Sequence, residues 1–374
     1  MANLLDGIKP ILLMGPGPSA VPPEVYAALG KPTLGHLDPY FIQIMDGVKT
    51  NLQAAFKTKN HMTLAVSGTG SSGMETSFVN LVEAGDKTLI ITNGVFSKRM
   101  EEVARRVGAD VDLLEFEWGT PIDLDAVAKK LKETKYAIVA MVHSETSTGM
   151  LNPAKDVGKL VRENGALFIV DCVTSLGCVP VEVDEWGIDA VYSCSQKGLS
   201  CPPGFAPVSF SPRAEEKLNA RKAKVPNWYM DMSLLIKYWE GSPRMYHHTM
   251  CSNMTYALYA GLELLLAEGL ENAFARHRAM HEKLGQGLEK FGISFFLKPE
   301  YRLPQINAVT IPAGVDDAAV RSRLLSEFQI EIGSGLGALA GKIWRIGLLG
   351  HAARPENIDR LLAALEKCLK GNAD

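Results

Sequence analysis

The chain has 374 residues, of which 47% are hydrophobic and 22% are charged, and its formal net charge is −3. This length and composition predict a sizeable core in two domains, or in one large domain with an appendage. Because 39 basic residues face 42 acidic ones, the chain has no broad basic field for nucleic acid or an anionic membrane surface. We therefore expect any anionic ligand to be bound by local features.

Targeting signals and cysteine spacing also narrow the class of protein. No apolar run reaches the roughly 18 to 20 residues of a membrane helix, and the first ten residues lack the pattern of a secretory signal. The six cysteines are scattered without a C-x-x-C pair, which fits neither a zinc site nor a disulfide framework. They are Cys172, Cys178, Cys194, Cys201, Cys251 and Cys368. We predict a cytoplasmic protein whose thiols are small buried packing groups.

Short apolar runs alternate with helical patterns in the first half of the chain. The strands are predicted at 63–66, 88–92, 111–116, 136–142 and 166–171, and the helices between them at 71–83, 97–108, 123–133 and 154–164. Strands that are apolar on both faces and alternate with helices predict an α/β fold, with a mostly parallel sheet between helices. Ligands of such sheets bind at the carboxyl ends of the strands, so the residues just after each strand are the functional candidates.

The last third of the chain has a different pattern. A helical run over 255–292 precedes shorter elements, which are predicted at 305–312, 316–327, 330–335, 342–350 and 355–369. This pattern predicts a smaller C-terminal α+β domain, with the long helix bridging the two domains. The predicted boundaries are an N-terminal arm at 1–20, a large ligand-binding domain at 21–255 and the small domain at 256–374.

The stretch VSGTGSSGME at 66–75 places Gly68, Gly70 and Gly73 in G-x-G-x-x-G spacing, after a predicted strand and at the start of a helix. This pattern normally indicates a dinucleotide site. The acidic residue expected about 20 residues later to hold a ribose is missing, because the next strand ends in TNG at 92–94. The N–H groups and dipole of a helix N-terminus favour a phosphate, so we predict a phosphate site without a nucleotide. A turn that only caps the helix is the alternative.

Two charged residues follow strands at the same predicted edge. Lys197 lies in VYSCSQKGLSCPPG at 191–204, and burial or nearby positive charge can lower the pKa of a lysine enough for Schiff-base chemistry. Asp171 ends the apolar run ALFIV, where a carboxylate needs a cationic partner such as a protonated pyridine nitrogen. The segment HSETSTG at 143–149 adds hydroxyl groups. Together with the phosphate loop, these residues predict pyridoxal phosphate as the cofactor.

Motifs spread over nearly the whole chain resemble one known family. They are LLMGPGPS at 12–19, GHLDP at 35–39, VSGTGSSGME at 66–75, HSETSTG at 143–149, IVDCVTSLG at 169–177, SCSQKGLSCPPG at 193–204, RMYHHT at 244–249 and WRIGLLG at 344–350. On these motifs the chain resembles the alanine–glyoxylate and serine–glyoxylate aminotransferases, class V members of the fold type I pyridoxal phosphate enzymes. The resemblance implies transfer of an amino group from a small L-amino acid to glyoxylate, with L-alanine expected first and serine or (S)-ureidoglycine left open.

The resemblance also implies roles for individual residues. Lys197 would hold the cofactor as an imine, Asp171 would pair with the ring nitrogen, and Phe96 would stack on the ring where mammalian relatives have tryptophan. The other implied contacts are with the phosphate (Thr69, Gly70 and Ser71, with Gln196 beside it), the ring hydroxyl (Thr146), the second ring face (Val173), the substrate carboxylate (Arg345) and the phosphate of the neighbouring subunit (Tyr246 and Thr249). The last pair implies a homodimer with shared active sites.

Two further pairs of polar residues are weaker candidates for a function. His247 and His248 are adjacent, so we expect their rings to point apart, and with no third ligand in view we expect no metal site. His143 and Glu145 are expected to make hydrogen bonds at a strand end rather than to transfer protons.

Two alternative functions share part of this pattern. A class V lyase acting on a sulfur amino acid would need a reactive cysteine on a mobile loop, and the C-terminal half offers Cys251 and Cys368 outside any such motif. A cofactor-binding protein without catalysis is disfavoured by the presence of lysine, aspartate and arginine in the expected positions.

Overall fold

The computed structural model describes residues 3–370. Within this range the strands are β1 (Leu12–Leu13), β2 (Met62–Gly68), β3 (Lys87–Thr92), β4 (Asp110–Glu115), β5 (Ile138–Val142), β6 (Ser144–Glu145), β7 (Met150–Leu151), β8 (Leu167–Asp171), β9 (Ala190–Tyr192), β10 (Gly204–Phe210), β11 (Ile306–Thr310), β12 (Ile330–Glu331), β13 (Gly333–Ser334) and β14 (Ile343–Gly347). The α-helices are α1 (Pro23–Leu29), α2 (Pro39–Phe56), α3 (Gly70–Leu81), α4 (Val95–Arg106), α5 (Leu124–Glu133), α6 (Ala154–Asn164), α7 (Pro212–Asn219), α8 (Met232–Trp239), α9 (Ser252–Glu268), α10 (Leu270–Glu289), α11 (Asp317–Phe328) and α12 (Pro355–Lys370). Short 3-10 turns lie at Leu4–Gly7, Pro299–Tyr301, Gly337–Leu339 and Gly350–Ala352.

A seven-stranded sheet in the order β2-β10-β9-β8-β5-β3-β4 forms the centre of the larger part of the molecule. Strands β4, β3, β5, β8 and β9 are parallel, whereas β10 runs antiparallel to both of its neighbours. Every residue of β5 and β8 is buried, as expected for a sheet covered by helices on both faces. The predicted α/β fold with a mostly parallel sheet is confirmed by this topology.

The direction of the strands decides where ligands can bind. Because β10 is antiparallel to both β2 and β9, those two strands run in the same direction as the parallel set. The loops that follow β2, β3, β5, β8 and β9 therefore emerge at one edge of the sheet. This is the edge at which sheets of this type bind their ligands.

The predicted single helix over 255–292 is wrong, since the chain forms α9 and α10 with a break at Gly269. Gly269 has φ +86, a conformation that ends a helix and that residues with a side chain rarely adopt. Leu258 and Leu262 of α9 belong to the core of the large sheet, whereas Leu284 and Leu288 of α10 belong to a second core. The predicted bridge between the two parts therefore consists of two helices.

The smaller part of the molecule contains the sheet β11-β14-β13, with α10, α11 and α12 packed around it. It also takes in part of the predicted N-terminal arm, because β1 pairs in parallel with β12. Met14, which follows β1, is fully buried in this second core. The segment after Met14 thus leaves the small sheet and enters the region of the large one.

The domain boundary at 255/256 remains a prediction. Residues 1–2 and 371–374, the two ends of the predicted arm and small domain, lie outside the described residues. Between residues 3 and 370, no helix combines the length and apolar character that crossing a bilayer requires.

Candidate active site

A cavity of about 190 Å³ lies at the carboxyl edge of the large sheet. It collects side chains from the loops after β2, β3, β5, β8 and β9. Its lining contains the predicted residues Thr69, Gly70, Ser71, Phe96, Thr146, Asp171, Val173, Gln196 and Lys197. Residues spread over more than a hundred positions of sequence are therefore brought together at one site.

The glycine loop places a helix N-terminus at one end of the cavity. Helix α3 begins at Gly70, and Thr69 is its N-cap residue. The backbone of Thr69 is extended, and its side chain makes no capping hydrogen bond to the helix. The N–H groups of the first helical turn, at Gly70 and Ser71, have no carbonyl partner within a helix. With the hydroxyl groups of Thr69 and Ser71, they form a set of donors suited to a phosphate.

Asp171 ends β8 and is only 4% exposed. Its Oδ1 accepts a hydrogen bond of 2.8 Å from the Val173 N–H. Burial raises the pKa of Asp171 to about 7, and the Val173 N–H opposes this shift. The ionised carboxylate is therefore costly without a cation beside it, and a group that brought a protonated nitrogen would relieve this cost.

Lys197 follows β9 and is held by the N-terminal segment. Its Nζ donates to the carbonyl of Pro16, and its own carbonyl accepts a hydrogen bond of 2.7 Å from Ser19 Oγ. Burial lowers the pKa of Lys197, and the positive charge of Arg345 lowers it further. A lysine with a lowered pKa has a larger neutral fraction near neutral pH, which is what a nucleophilic amine requires.

Arg345 lies in β14 and is 6% exposed. Within residues 3–370 its hydrogen-bond partners are two main-chain carbonyls, of Ser334 at 2.7 Å from Nε and of Thr146 at 3.5 Å. Burial lowers the pKa of Arg345 to about 10, while the charge of Glu145 acts in the opposite direction. Arg345 does not line the cavity itself, but its contact with Thr146 places it at the border.

The cavity also contains residues that the sequence reasoning missed: Met74, Arg99, Val142, Ser144 and Thr174. Arg99 lies three residues after Phe96 on α4, and helical residues at that spacing share a face. Its guanidinium lies 5.2 Å from the centre of the Phe96 ring. The spacing in NGVFSKR could therefore have identified Arg99.

Comparison with known proteins gives the family. A family model for class V aminotransferases matches residues 11–361. This chain belongs to the class V aminotransferases. It is 42% identical to the alanine–glyoxylate aminotransferase of Oryctolagus cuniculus over 96% of this chain and 92% of that protein.

Two further relatives support the same assignment. The (S)-ureidoglycine–glyoxylate transaminase of Bacillus subtilis is 40% identical, over 96% of this chain and 90% of that protein. The solved structure of the alanine–glyoxylate aminotransferase of Nostoc sp. gives a TM-score of 0.95 at 49% identity, covering 97% of this chain and 96% of that one. The predicted pyridoxal phosphate aminotransferase of fold type I is confirmed.

The cavity of this class V aminotransferase fits pyridoxal phosphate. The N-terminus of α3 offers donors for the phosphate, and Asp171 offers a buried carboxylate that forms no salt bridge among residues 3–370. Lys197 supplies the amine, while Val173 and Phe96 supply apolar surface for an aromatic ring. The individual contacts of these residues with the cofactor remain predictions.

Tyr246 and Thr249 do not reach the cavity of their own chain. The Tyr246 side chain is 56% exposed, and its hydroxyl lies 3.4 Å from Thr249 Oγ1. The Tyr246 ring lies 4.8 Å from that of His36. In this chain both residues are therefore on the surface.

The expectation that His247 and His248 point apart is wrong. Their Nδ1 atoms lie 2.9 Å apart, because His247 stacks on Trp228 at 4.2 Å and thereby turns its ring toward its neighbour. Nε2 of His248 lies 3.4 Å from Ser67 Oγ. Among the residues that the structure describes, no group of three or more His, Cys, Asp or Glu side chains could hold a metal ion.

Proposed function

We propose that this aminotransferase moves the amino group of a small L-amino acid, L-alanine first, to glyoxylate, giving pyruvate and glycine. The observation that carries the proposal is Arg345, a buried guanidinium whose partners are main-chain carbonyls and whose charge is close enough to act on Lys197. Such a group favours a carboxylate that arrives with the substrate. Glyoxylate also appears in the names of the relatives at 42% and 40% identity.

Each charged residue has a separate task in the transfer. Arg345 binds the α-carboxylate and so orients the bond between Cα and its hydrogen. Lys197, in its neutral form, would take the proton from Cα of the amino acid and deliver it to the cofactor carbon that bears the amino nitrogen. It would carry a proton the opposite way when glyoxylate accepts the amino group. Asp171 would keep a proton on the cofactor nitrogen. When bound, pyridoxal phosphate would supply the electron sink for the electron pair that deprotonation leaves on Cα.

The identity of the amino donor depends on the space that remains beside the cofactor. L-Serine and (S)-ureidoglycine are the alternatives, and the Bacillus subtilis relative favours the second.

A panel of amino donors with glyoxylate tests this proposal. Comparing kcat/KM for L-alanine, L-serine and (S)-ureidoglycine ranks the donors directly. A preference for L-alanine supports the proposal, and a much higher value for another donor reassigns the substrate. Turnover with none of them, together with turnover of a different oxo acid, would contradict glyoxylate as the acceptor.

We also propose a homodimer in the cytoplasm. Exposed apolar side chains at Trp228, Met245 and Tyr246 form a surface around RMYHHT that a second copy would cover. The six free thiols within residues 3–370, five of them buried, fit a reducing compartment. Size-exclusion chromatography with light scattering measures the oligomeric state.

A further inference from the structure

The first turn of α4 is capped by side chains from a different loop. Gly94, the N-cap residue, offers no side chain, and the first three N–H groups of the helix find partners outside it. The Val95 N–H donates to Ser147 Oγ at 3.0 Å, and the N–H groups of Phe96 and Ser97 both donate to Glu145 Oε2 at 3.2 Å. The segment HSETSTG is therefore attached to the start of α4.

Glu145 is surrounded by donors. The residue is 0% exposed, and its Oε1 accepts hydrogen bonds from the N–H and the Oγ of Ser147, at 3.2 and 2.5 Å. Burial raises the pKa of Glu145, while the donors at Ser147 and Ser97 oppose that shift. The dipole at the N-terminus of α4 favours a negative charge at this position.

The backbone at Gly94 leaves room for the side chain of Glu145. A Cβ added at Gly94 would lie 2.3 Å from Cδ of Glu145 and 2.5 Å from Oγ of Ser147. Real Cβ atoms do not approach other atoms that closely, so the carboxylate occupies the space that a side chain at position 94 would fill. The glycine and the buried glutamate form one fitted unit.

This unit joins two walls of the cavity. Phe96 lies in the first turn of α4, and Thr146 lies in the chain between the two capping residues Glu145 and Ser147. Both Phe96 and Thr146 line the cavity. We propose that Glu145 is a positioning residue that fixes Phe96 relative to Thr146 and so sets the orientation of the cofactor ring. The proposal rests on the predicted cofactor contacts of Phe96 and Thr146.

Glu145→Gln tests this role with little change in side-chain shape. Both carboxylate oxygens of Glu145 accept hydrogen bonds. Glutamine replaces one of them with an NH₂ group, which cannot accept, so part of the cap is lost. We expect a folded protein whose dissociation constant for pyridoxal phosphate rises by about tenfold or more, the size expected for losing charge-assisted hydrogen bonds. The visible circular dichroism band of the bound cofactor should change as well, because it depends on ring orientation.

Asp189→Asn is the matched control. Asp189 is another buried carboxylate of the same sheet, and it accepts hydrogen bonds from the Phe168 N–H at 3.0 Å and from Ser211 Oγ at 2.7 Å. It precedes β9 and so lies at the edge opposite the cavity. The control should lose thermal stability but keep the dichroism band and the dissociation constant of wild type.

A double-mutant cycle separates positioning from general support of the fold. If Glu145 acts through Phe96, Glu145→Gln should weaken cofactor binding much less in a Phe96→Ala background than in wild type. Equal losses in both backgrounds would overturn the proposal, as would an unchanged band and dissociation constant in a folded Glu145→Gln protein.

A milder variant keeps the proposal open to refutation if Glu145→Gln does not fold. Ser147→Ala retains the carboxylate but removes the hydroxyl that donates to Glu145 Oε1 and accepts from the Val95 N–H, so it should shift the band and the dissociation constant in the same direction by a smaller factor. No shift would overturn the proposal. These readouts involve the cofactor alone, so a failure with glyoxylate in the donor panel leaves them unaffected.

Discussion

The side-chain amine of Lys197 donates a hydrogen bond to the main-chain carbonyl of Pro16. The same segment reaches the backbone on either side of the lysine, because Ser19 donates through its hydroxyl to the Lys197 carbonyl and through its N–H to the Gln196 carbonyl. One short stretch of chain therefore holds both the backbone and the reactive end of this residue.

The segment also connects the lysine to the small sheet. The carbonyl of Met14 accepts a hydrogen bond of 2.7 Å from the Gly347 N–H in β14, two residues after Arg345. The positions of Arg345 and Lys197 thus depend on the same few residues.

Gly17→Ala should displace Lys197. Gly17 has φ +115, and an added Cβ would lie 2.1 Å from Nζ, so both the backbone and the lysine side chain have to move. We expect the folded variant to form the absorbance band of the lysine-bound cofactor roughly tenfold more slowly, from strain on the order of 1 to 3 kcal/mol. Stopped-flow absorbance after mixing with pyridoxal phosphate measures the rate.

Gly35→Ala provides the control for this substitution. Nothing lies within 4 Å of a Cβ added at Gly35. This variant should form the band at the rate of wild type. If Gly17→Ala also reacts at that rate, the contact between segment and lysine has no part in cofactor binding.

The sequence predicted most strands of the large sheet, though not the antiparallel β10, and most of the cavity, because these depend on local patterns. Fully apolar strands and the residues after them locate the sheet edge, and family motifs assign Lys197 and Asp171. The break at Gly269 has a local cause too, but a single glycine inside a strong helical pattern is a weak signal. The capping of α4 by Glu145 could not be predicted from the sequence, because residues 94–97 and 145–147 are distant in sequence and meet only in the folded chain.

Asp171→Asn should change how the stability of the cofactor-free protein depends on pH. Burial raises the pKa of Asp171 from 3.8 to about 7, so between these values the folded chain keeps a proton that the unfolded chain has lost. The stability contributed by the neutral carboxyl is complete below about pH 4 and is lost as the pH rises through 7. The amide of asparagine does not titrate, so in the variant the contribution of residue 171 to the free energy of unfolding does not change with pH.

Chemical denaturation of the cofactor-free proteins at several pH values measures this difference. Above pH 7 the Asp171→Asn protein should be the more stable one, by an amount on the order of a few kcal/mol. In the presence of cofactor it should lose most of its turnover rate, because an amide stabilises a protonated nitrogen poorly. Parallel pH profiles for the two proteins, or a variant rate near that of wild type, would contradict these roles.

Arg345→Lys should raise KM for the amino acid and the oxo acid more than it lowers kcat. A lysine offers a point charge where the guanidinium can hold both carboxylate oxygens at once. The expected loss in kcat/KM corresponds to about 2 kcal/mol, the range for hydrogen bonds to charged groups. Steady-state kinetics with L-alanine and glyoxylate give both constants.

The control for this exchange is another arginine of the smaller part of the molecule. Arg302 also donates to a main-chain carbonyl, that of Leu297 at 2.8 Å, but it does not line the cavity. Arg302→Lys should leave both values of KM unchanged. Unchanged values for Arg345→Lys as well would mean that another group binds the carboxylate.

Mixing two inactive variants tests whether each active site is built from two chains. Lys197→Ala should fold but lose the absorbance of lysine-bound cofactor and nearly all turnover. Tyr246→Phe combined with Thr249→Ala should bind the cofactor weakly if these residues reach the phosphate of a neighbouring subunit.

In a mixed dimer of these two variants, one site carries both defects, whereas the other takes its lysine from one chain and its phosphate donors from the other. We expect activity to reappear as subunits exchange, up to about half of the wild-type activity per mixed dimer, because one of its two sites is intact. Exchange is followed independently by energy transfer between differently labelled chains. If the chains exchange and the mixture stays as inactive as either parent, Tyr246 and Thr249 do not serve the partner's site.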